Sequence, residues 1–219
     1  KVQKEMLKAL KQTGKPVIFV LCSGSAIALP QEVEHTDAIL NAWYPGQAGG
    51  TAVADVLFGD YNPAGRLPVT FYASTDDLPD FEDYSMANRT YRYFKGTPLF
   101  PFGHGLSYTT FKYGNATLEA TEIKAGEDVR LTIPLQNTGN RDGDEVVQIY
   151  IRQLAGGEGP AKSLRAFRRV SVKAGGSTTV QIQLPAHTFE FYNPDTKTMT
   201  IHSGQYELLY GGTSDNNKL

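Results

Sequence analysis

The hydrophobic positions of the first 58 residues follow two different spacings. Apolar side chains recur at helical spacing over residues 2–10 and again over 47–58. Two continuous apolar runs, at 17–22 and 38–43, have the length of buried strands. This order predicts part of a parallel sheet that is covered by helices. Two strands are too few for a complete doubly wound domain, so we expect the rest of the layer to lie upstream or in a partner.

Residues 59–107 show little periodicity and are rich in glycine, proline and aromatic residues. A free linker would not carry so many large apolar rings, because exposing them to water is unfavourable. We therefore expect an ordered, aromatic-rich connector over 73–107, packed between the domains on either side of it. Six aromatic residues fall within the 18 positions that cover its C-terminal end and the tyrosine that follows it, namely Tyr91, Tyr93, Phe94, Phe100, Phe102 and Tyr108.

After Tyr108 the apolar residues alternate with polar ones, which is the spacing of half-buried strands. The alternating segments are 129–133, 147–151, 170–172, 180–184 and 206–210. They predict an antiparallel β-sandwich of fibronectin type III-like or immunoglobulin-like kind over 108–219. We expect this domain to fold more autonomously than the α/β piece at 1–58, which buries too little surface alone.

Composition narrows the range of partners. The 219 residues carry a formal net charge of -2, and the densest basic run, at 165–169, is interrupted by apolar residues, so we expect no nucleic-acid partner. The longest apolar run, at 17–22, is far shorter than the roughly 20 residues that span a bilayer, so we also expect no membrane anchor.

Three blocks of sequence resemble a known family. They are Asn-Ala-Trp-Tyr-Pro-Gly-Gln-Ala-Gly-Gly at 41–50, Ala-Asp-Val-Leu-Phe-Gly-Asp-Tyr-Asn-Pro-Ala-Gly-Arg-Leu-Pro at 54–68 and Pro-Phe-Gly-His-Gly-Leu-Ser-Tyr at 101–108. In order and spacing they resemble glycoside hydrolase family 3, whose C-terminal domain is also fibronectin-like. Residues 22–27 and 91–94 look more like its β-xylosidase branch, including bacterial members that act on plant cell wall, than its β-glucosidase branch.

The resemblance implies the C-terminal portion of a retaining, exo-acting β-glycosidase. Such an enzyme releases xylose or glucose from the non-reducing ends of β-linked oligosaccharides, without a cofactor. In this family the nucleophile is an aspartate on an N-terminal (β/α)8 barrel, and the acid/base is usually a glutamate just before the helix that opens this chain. The resemblance thus implies that residues 1–72 are the C-terminal piece of an α/β sandwich domain, that this chain holds no catalytic residue, and that the missing barrel and α/β part are its partners. The compartment stays open, and the substrate class favours a periplasmic or extracellular location.

A cluster of acidic residues between 76 and 83 is the rival candidate for paired catalytic carboxylates. It lies among serine, threonine and proline, where acids usually form turns and aid solubility, and no apolar wall is evident that would raise a pKa. We therefore favour the turn-forming interpretation. The cluster comprises Asp76, Asp77, Asp80, Glu82 and Asp83.

Four residues near the ends of the two predicted strands are candidates for the rim of a substrate cleft. Ser23 and Ser25 follow the first strand, and Trp43 and Tyr44 end the second. Ligands bind at the carboxyl edge of parallel sheets, which is where these side chains should meet. The alternative, which we favour, is that Trp43 and Tyr44 are core or interface aromatics.

Other polar and reactive residues are expected to be structural. The single cysteine, Cys22, ends an apolar run and is expected to be a buried small hydrophobe. Arg66 is expected to pair with Asp60 or to cap a helix end, and His104 to pack at the domain junction. The histidines lack metal-ligand spacing, so we predict no metal site. They are His35, His104, His187 and His202.

A second class of function is a stand-alone carbohydrate-binding or adhesion module, for which a β-sandwich with exposed aromatic residues would be enough. The incomplete α/β half argues against it. A module that began inside an open sheet would expose a strand edge that invites aggregation. We therefore favour the hydrolase.

Overall fold

The computed structural model describes residues 2–154 and 159–219. They form two compact units. The first unit contains the chain up to Tyr61 together with Pro68–Phe102, and the second contains Asn62–Leu67 and Gly103–Leu219. The chain therefore passes between the units three times, after Tyr61, Leu67 and Phe102.

The first unit opens with alternating helices and strands. Strands β1 and β2 pair in parallel, with Ile18 opposite Ala38 at one end and Leu21 opposite Asn41 at the other. The parallel arrangement predicted from the continuous apolar runs is confirmed. The elements are α1 (Val2–Gln12), β1 (Ile18–Leu21), α2 (Pro30–His35), β2 (Ala38–Asn41) and α3 (Gly49–Phe58).

Asp37 fixes the start of this parallel pair. Its carboxylate accepts a hydrogen bond from the backbone N–H of Val17 at 2.8 Å and contacts the Lys11 amino group at 2.7 Å. Both contacts favour the charged carboxylate, the lysine hydrogen bond most, and they hold the pKa of Asp37 below its usual range. The end of α1 and the starts of both strands are thus joined through one side chain.

The aromatic connector up to Phe102 folds as part of the first unit. It contains a 3-10 turn at Thr75–Asp77 and the short helix α4 (Thr90–Tyr93). The Tyr91 and Phe102 rings stack with centroids 4.4 Å apart, and Phe94 packs edge-on against Tyr72 at 4.9 Å. Phe71 pairs through its backbone with Phe100. The connector is therefore ordered by contacts within the first unit.

The second unit is an antiparallel β-sandwich, as predicted. One sheet has the strand order β11-β6-β7, and in the other β5 pairs with β8 on one side and with β3 and β4 on the other. A small hairpin of β9 and β10 completes it. The strands are β3 (Phe111–Tyr113), β4 (Thr117–Leu118), β5 (Val129–Asn137), β6 (Gly143–Gln153), β7 (Ser163–Val172), β8 (Ser177–Leu184), β9 (Phe191–Asn193), β10 (Thr198–Thr200) and β11 (Tyr206–Gly211).

The core of the second unit lies between these two sheets. Alternate residues of β5 and β8 are buried while their neighbours face outward, which is the pattern that the sequence shows. The most deeply buried aliphatic side chains are Ile133, Leu135, Val147, Ile149, Ile151, Val180 and Leu184. Burying each one fully contributes roughly 1.5–3 kcal/mol relative to leaving it exposed.

Strand β6 is buried on both faces. Its residues Val147, Ile149 and Ile151 enter the core, whereas Gln148 and Tyr150 alternate with them and must face the other way. These two polar residues are only 3% and 0% exposed. The outward side of β6 is therefore covered by other parts of the second unit, and it forms a buried polar layer.

Candidate functional site

The loops that leave the parallel strands form the candidate cleft rim. Strand β1 ends at Leu21 and β2 at Asn41, so the predicted residues follow within four positions of the same sheet edge. A side chain at Gly24 would lie 2.6 Å from the Tyr44 hydroxyl. The Tyr44 ring thus packs directly against Gly24, so the loop after β2 contacts the loop after β1.

The four candidate residues differ in what they present. Ser23 is buried and donates its hydroxyl to the carbonyl of Ser25 at 3.0 Å, which shapes the first loop. Trp43 is half-buried, has a left-handed backbone φ of 53°, and packs edge-on against Phe71 with ring centroids 6.2 Å apart. Tyr44 is 80% exposed. Tyr44 therefore offers aromatic surface to a ligand, while Trp43 supports the loop.

Two further features of this edge are polar. The Asn41 side-chain Nδ2, at the end of β2, is buried and has no hydrogen-bond partner among the residues that the structure describes. Helix α3 begins at Gly49, and its N-cap residue Ala48 supplies no side-chain cap. The positive end of the helix dipole thus lies shortly after Tyr44 in the chain. This edge can donate hydrogen bonds, which suits oxygen-rich ligands.

The acidic cluster forms turns. Asp77 accepts from the N–H of Ser74 at 3.0 Å, Asp80 from Glu82 at 2.9 Å and Asp83 from Ser85 at 2.8 Å. The hydrogen bonds from Ser85 lower the pKa of Asp83. A catalytic acid in a glycosidase needs the opposite shift, so that it holds a proton near neutral pH. The contacts of these carboxylates are those of turn-forming residues.

Arg66 pairs with Glu145, and the predicted pairing with Asp60 is wrong. The guanidinium and carboxylate are 3.0 Å apart, and their side chains are 9% and 6% exposed. Arg66 folds with the second unit, whereas Asp60 belongs to the first. Because the two partners are 79 positions apart, the pairing depends on the register of β6 and has no local sequence signal.

The segment that contains Arg66 is tied into the second unit by further bonds. The Asn62 side chain accepts from the N–H of Tyr108 at 2.7 Å and donates to the carbonyl of Asp142 at 2.8 Å. The N–H of Leu67 donates to the carbonyl of His104 at 2.8 Å. Burial lowers the pKa of His104, which favours its neutral form. We call residues 62–67 the strap.

A buried amide, a tyrosine hydroxyl and a lysine form the polar layer outside β6. Gln148 donates to the carbonyl of Gly212 at 2.6 Å, and Tyr150 donates to the Gln148 side-chain oxygen at 2.5 Å. Gly103 has a φ of 78°, and a side chain there would overlap the Gln148 amide. Lys162 donates to the carbonyl of Ser214, and burial lowers its pKa to about 8. The sequence pattern does not predict this layer, because Gln148 and Tyr150 interrupt the apolar residues of β6 only singly and Lys162 lies outside that strand.

Cys22 is exposed, and the expectation that it is buried is wrong. The apolar run extends one residue beyond β1, which ends at Leu21, so the thiol lies on the loop.

No group of three or more metal-ligating side chains occurs among residues 2–154 and 159–219. Within the same residues no helix is long and apolar enough to cross a bilayer.

Comparison with known proteins identifies both units. Residues 1–108 match the glycosyl hydrolase family 3 C-terminal domain, and residues 145–214 match a fibronectin type III-like domain. The chain is 58% identical over 214 residues to a xylan 1,4-β-xylosidase of Xylanibacter ruminicola, an alignment that covers 98% of this chain and 24% of that protein. It is 38% identical over 222 residues to a periplasmic β-glucosidase of Salmonella typhimurium, which covers 95% of this chain and 29% of that protein.

Solved structures give the same result. A β-glucosidase of Erythrobacter marinus superposes with a TM-score of 0.86 at 36% identity, covering 98% of this chain and 29% of that one. A β-glucosidase of Listeria innocua, in complex with isofagomine, gives 0.85 at 28% identity, covering 97% of this chain and 31% of that one. This chain thus spans about a quarter to a third of the length of these relatives. It belongs to glycoside hydrolase family 3, of which it carries the C-terminal domain and the fibronectin type III-like domain that follows.

Proposed function

We propose that this chain is the C-terminal portion of a retaining, exo-acting β-glycosidase. The parent enzyme releases single xylose or glucose units from the non-reducing ends of plant-type β-linked oligosaccharides. The observation that carries this proposal is the 58% identity to a xylan 1,4-β-xylosidase over nearly the whole chain. Such similarity is far greater than a shared fold requires.

The same comparison favours xylose over glucose. Identity falls from 58% with the xylan 1,4-β-xylosidase to 38% with the periplasmic β-glucosidase. A second β-xylosidase, from Formosa agariphila, is 39% identical, so the preference depends on the first relative. We propose a β-xylosidase, with a β-glucosidase as the alternative.

In the parent enzyme this chain serves as scaffold and cleft rim. Retaining glycosidases need two carboxyl groups about 5–5.5 Å apart, one as nucleophile and one as acid/base. The densest acidic cluster of this chain is engaged in turns. We therefore propose that both catalytic carboxylates are supplied by the remaining part of the parent chain.

Tyr44 is the rim residue that we expect to touch the sugar. Its ring is largely exposed and held over Gly24, so it presents an apolar face of the kind that stacks on the C–H groups of a pyranose. Trp43 and Ser23 would position that ring, and Ser25 lies exposed on the neighbouring loop. Both functions assigned to Trp43, packing and rim support, are compatible with its half-buried state.

The alternative, a stand-alone carbohydrate-binding or adhesion module, fits the first unit poorly. In the described part of the chain, β1 and β2 pair only with each other, so both edges of this sheet are open. Large apolar side chains such as Val2, Ile18 and Phe58 are exposed in the same unit. A secreted module that functions alone would carry an aggregation-prone surface.

Hydrolysis of nitrophenyl β-xyloside and β-glucoside tests the proposal. We expect the parent enzyme to cleave the xyloside faster, and the 219-residue chain alone to show no turnover above the uncatalysed rate. In the parent, Tyr44→Ala should raise KM by roughly tenfold, since a stacked ring contributes on the order of 1 kcal/mol or more. Tyr192→Ala, at an exposed tyrosine of β9, is the matched control and should leave KM unchanged.

Two outcomes would contradict the proposal. Activity of the 219-residue chain that disappears in Asp77→Asn or Asp83→Asn would place catalysis in the acidic cluster. A parent protein that binds xylo-oligosaccharides but hydrolyses neither nitrophenyl substrate would favour the binding-module alternative.

A further inference from the structure

Residues 78–94 of the first unit expose more aromatic surface than a solvated loop requires. Phe81 and Tyr84 are 94% and 92% exposed, and Met86 is also exposed. Single exposed apolar residues are ordinary on protein surfaces, but three within six positions concentrate apolar surface in one short segment, and large exposed apolar patches mark interaction sites. We call residues 78–94 the aromatic loop.

The aromatic loop is fixed in place by contacts at its base. Arg89 donates to the carbonyls of Asp80 and Asp83 at 3.0 and 2.7 Å, which ties the two ends of the exposed part together. Thr90, whose φ of 56° is unusual for a β-branched residue, donates its N–H to the Tyr72 hydroxyl at 2.7 Å. The chain thus maintains a strained backbone next to rings that it does not cover.

Arg92 lies next to this base and lacks an anionic partner. Its Nε is buried without a hydrogen bond, and its guanidinium, which lies over the Tyr93 ring at 5.6 Å from the centroid, forms no ion pair with any residue that the structure describes. The Nε atoms of Arg66 and Arg165 are buried in the same way. Those two guanidinium groups nevertheless bind Glu145 and the carbonyl of Glu190 through their terminal nitrogens. In Arg92 the desolvation of Nε is not compensated by a hydrogen bond, and the terminal nitrogens remain available to a partner from outside the described residues.

We propose that the aromatic loop is a docking surface for the part of the parent chain that lies outside these 219 residues, and that Arg92 binds a carboxylate of that part. The inference rests on the proposed function only in requiring that longer parent. Aromatic residues and arginine are the residue types that dominate protein interfaces, and a guanidinium fork matches a carboxylate. Relatives of which this chain covers only 24% and 29% supply the length for such an occupant.

Chymotrypsin cleavage after Phe81 and Tyr84 measures whether the loop is covered. We compare the 219-residue chain with the complete parent enzyme, each as wild type and as Arg92→Met. The loop should be cleaved roughly tenfold or more slowly in the parent, because docking shields it. Arg92→Met should accelerate cleavage several-fold in the parent and leave the 219-residue chain unchanged. Arg92→Lys, which keeps the charge but not the fork, should restore part of the protection.

Arg89→Met is the matched control. Its partners are carbonyls of this same loop, so its loss should accelerate cleavage in both proteins. Equal cleavage rates for the parent and the 219-residue chain would overturn the docking inference. An equal effect of Arg92→Met in both proteins would overturn the assignment of its carboxylate to the rest of the parent.

Two further results would assign the docking surface to a different partner. Slower cleavage of the 219-residue chain at high concentration, with dimers in sedimentation, would assign the surface to a second copy. Slower cleavage with sodium glucuronate, absent in Arg92→Met, would assign it to an acidic sugar. Hydrolysis of nitrophenyl β-xyloside by the same parent separates the two proposals. If the parent is inactive but its loop is protected from cleavage, only the proposed function is contradicted. If the parent is active but its loop is cleaved as fast as in the 219-residue chain, only the docking proposal is contradicted.

Discussion

The two units use apolar residues in opposite ways. In the second unit, two sheets close over a core whose side chains, such as Ile149 and Leu184, have no accessible surface. In the first unit, a two-stranded sheet leaves Ile18 half exposed, and the adjoining helices expose Val2 and Phe58. The unit that is richer in apolar residues is therefore the one that leaves apolar surface accessible, whereas the sandwich encloses its apolar side chains in a core.

Among the residues described, one ion pair is buried on both sides, and it lies in the second unit. Arg66 and Glu145 are nearly excluded from water, whereas pairs such as Lys11–Asp37 in the first unit and Lys173–Asp142 in the second remain accessible. An exposed pair contributes about 0–1 kcal/mol, but breaking a buried pair leaves a charge without solvent or partner. Sensitivity to substitution should therefore be concentrated in the second unit.

The largest effect is expected for Arg66→Met. Removing the guanidinium leaves the Glu145 carboxylate buried and unpaired, which should cost about 3–5 kcal/mol in the free energy of unfolding. Urea denaturation followed by circular dichroism measures it. The double variant Arg66→Met with Glu145→Leu should recover most of the loss, and a single variant that costs less than about 1 kcal/mol would show that water reaches the pair.

A slightly smaller effect is expected for Leu184→Ala. Truncating this fully buried side chain should cost about 2–5 kcal/mol, whereas Ile18→Ala in β1 should cost less than about 1 kcal/mol because half of that side chain is already in water. The single tryptophan, Trp43, lies in the first unit, so its fluorescence reports that unit separately. If Leu184→Ala shifted the Trp43 transition as much as the circular dichroism transition, the two units would unfold together. The expected difference in their sensitivity to substitution would then be wrong.

The smallest effect concerns pH. Burial lowers the pKa of Lys162 to about 8, so above that pH the folded chain loses a proton that the unfolded chain, with a lysine pKa near 10.5, still binds. The contribution of this group to stability therefore rises as pH increases from about 8 to 10.5 and is lowest below pH 8. Lys162→Met should flatten the slope of unfolding free energy against pH in that window. An unchanged slope would show that the amino group is solvated.

Regular patterns predicted the parts of the fold in which one face of a strand is buried. The alternation in β5 and β8 follows directly from that condition, and the parallel pair β1–β2 was predicted from two continuous apolar runs. Helix α2 was missed because six residues are too few to show a helical period, although Pro30 at its first turn is a typical start signal. The double burial of β6 was missed because its second face is polar.

The candidate site also has one part that the sequence predicts and one part that it does not. Placement of Ser23, Ser25, Trp43 and Tyr44 at one sheet edge follows from where the strands end, which the sequence indicates. The exposure of Tyr44 depends on the other loop, because the ring lies over Gly24, twenty positions earlier in the chain. Contacts between distant segments, like that of Arg66 with Glu145, are set by strand register, and one sequence does not reveal them.

The strap has a consequence for recombination. Residues 62–67 contribute to the second unit, yet the chain returns to the first unit for Pro68–Phe102 before it enters the sandwich. Consider a chimera of two homologous enzymes made by a single crossover near residue 103. Its sandwich would carry Glu145 from one homologue, and its strap would carry Arg66 from the other. Exchange of the sandwich between homologous enzymes thus requires two coordinated replacements, and natural crossovers that survive here should preserve this pair of residues together.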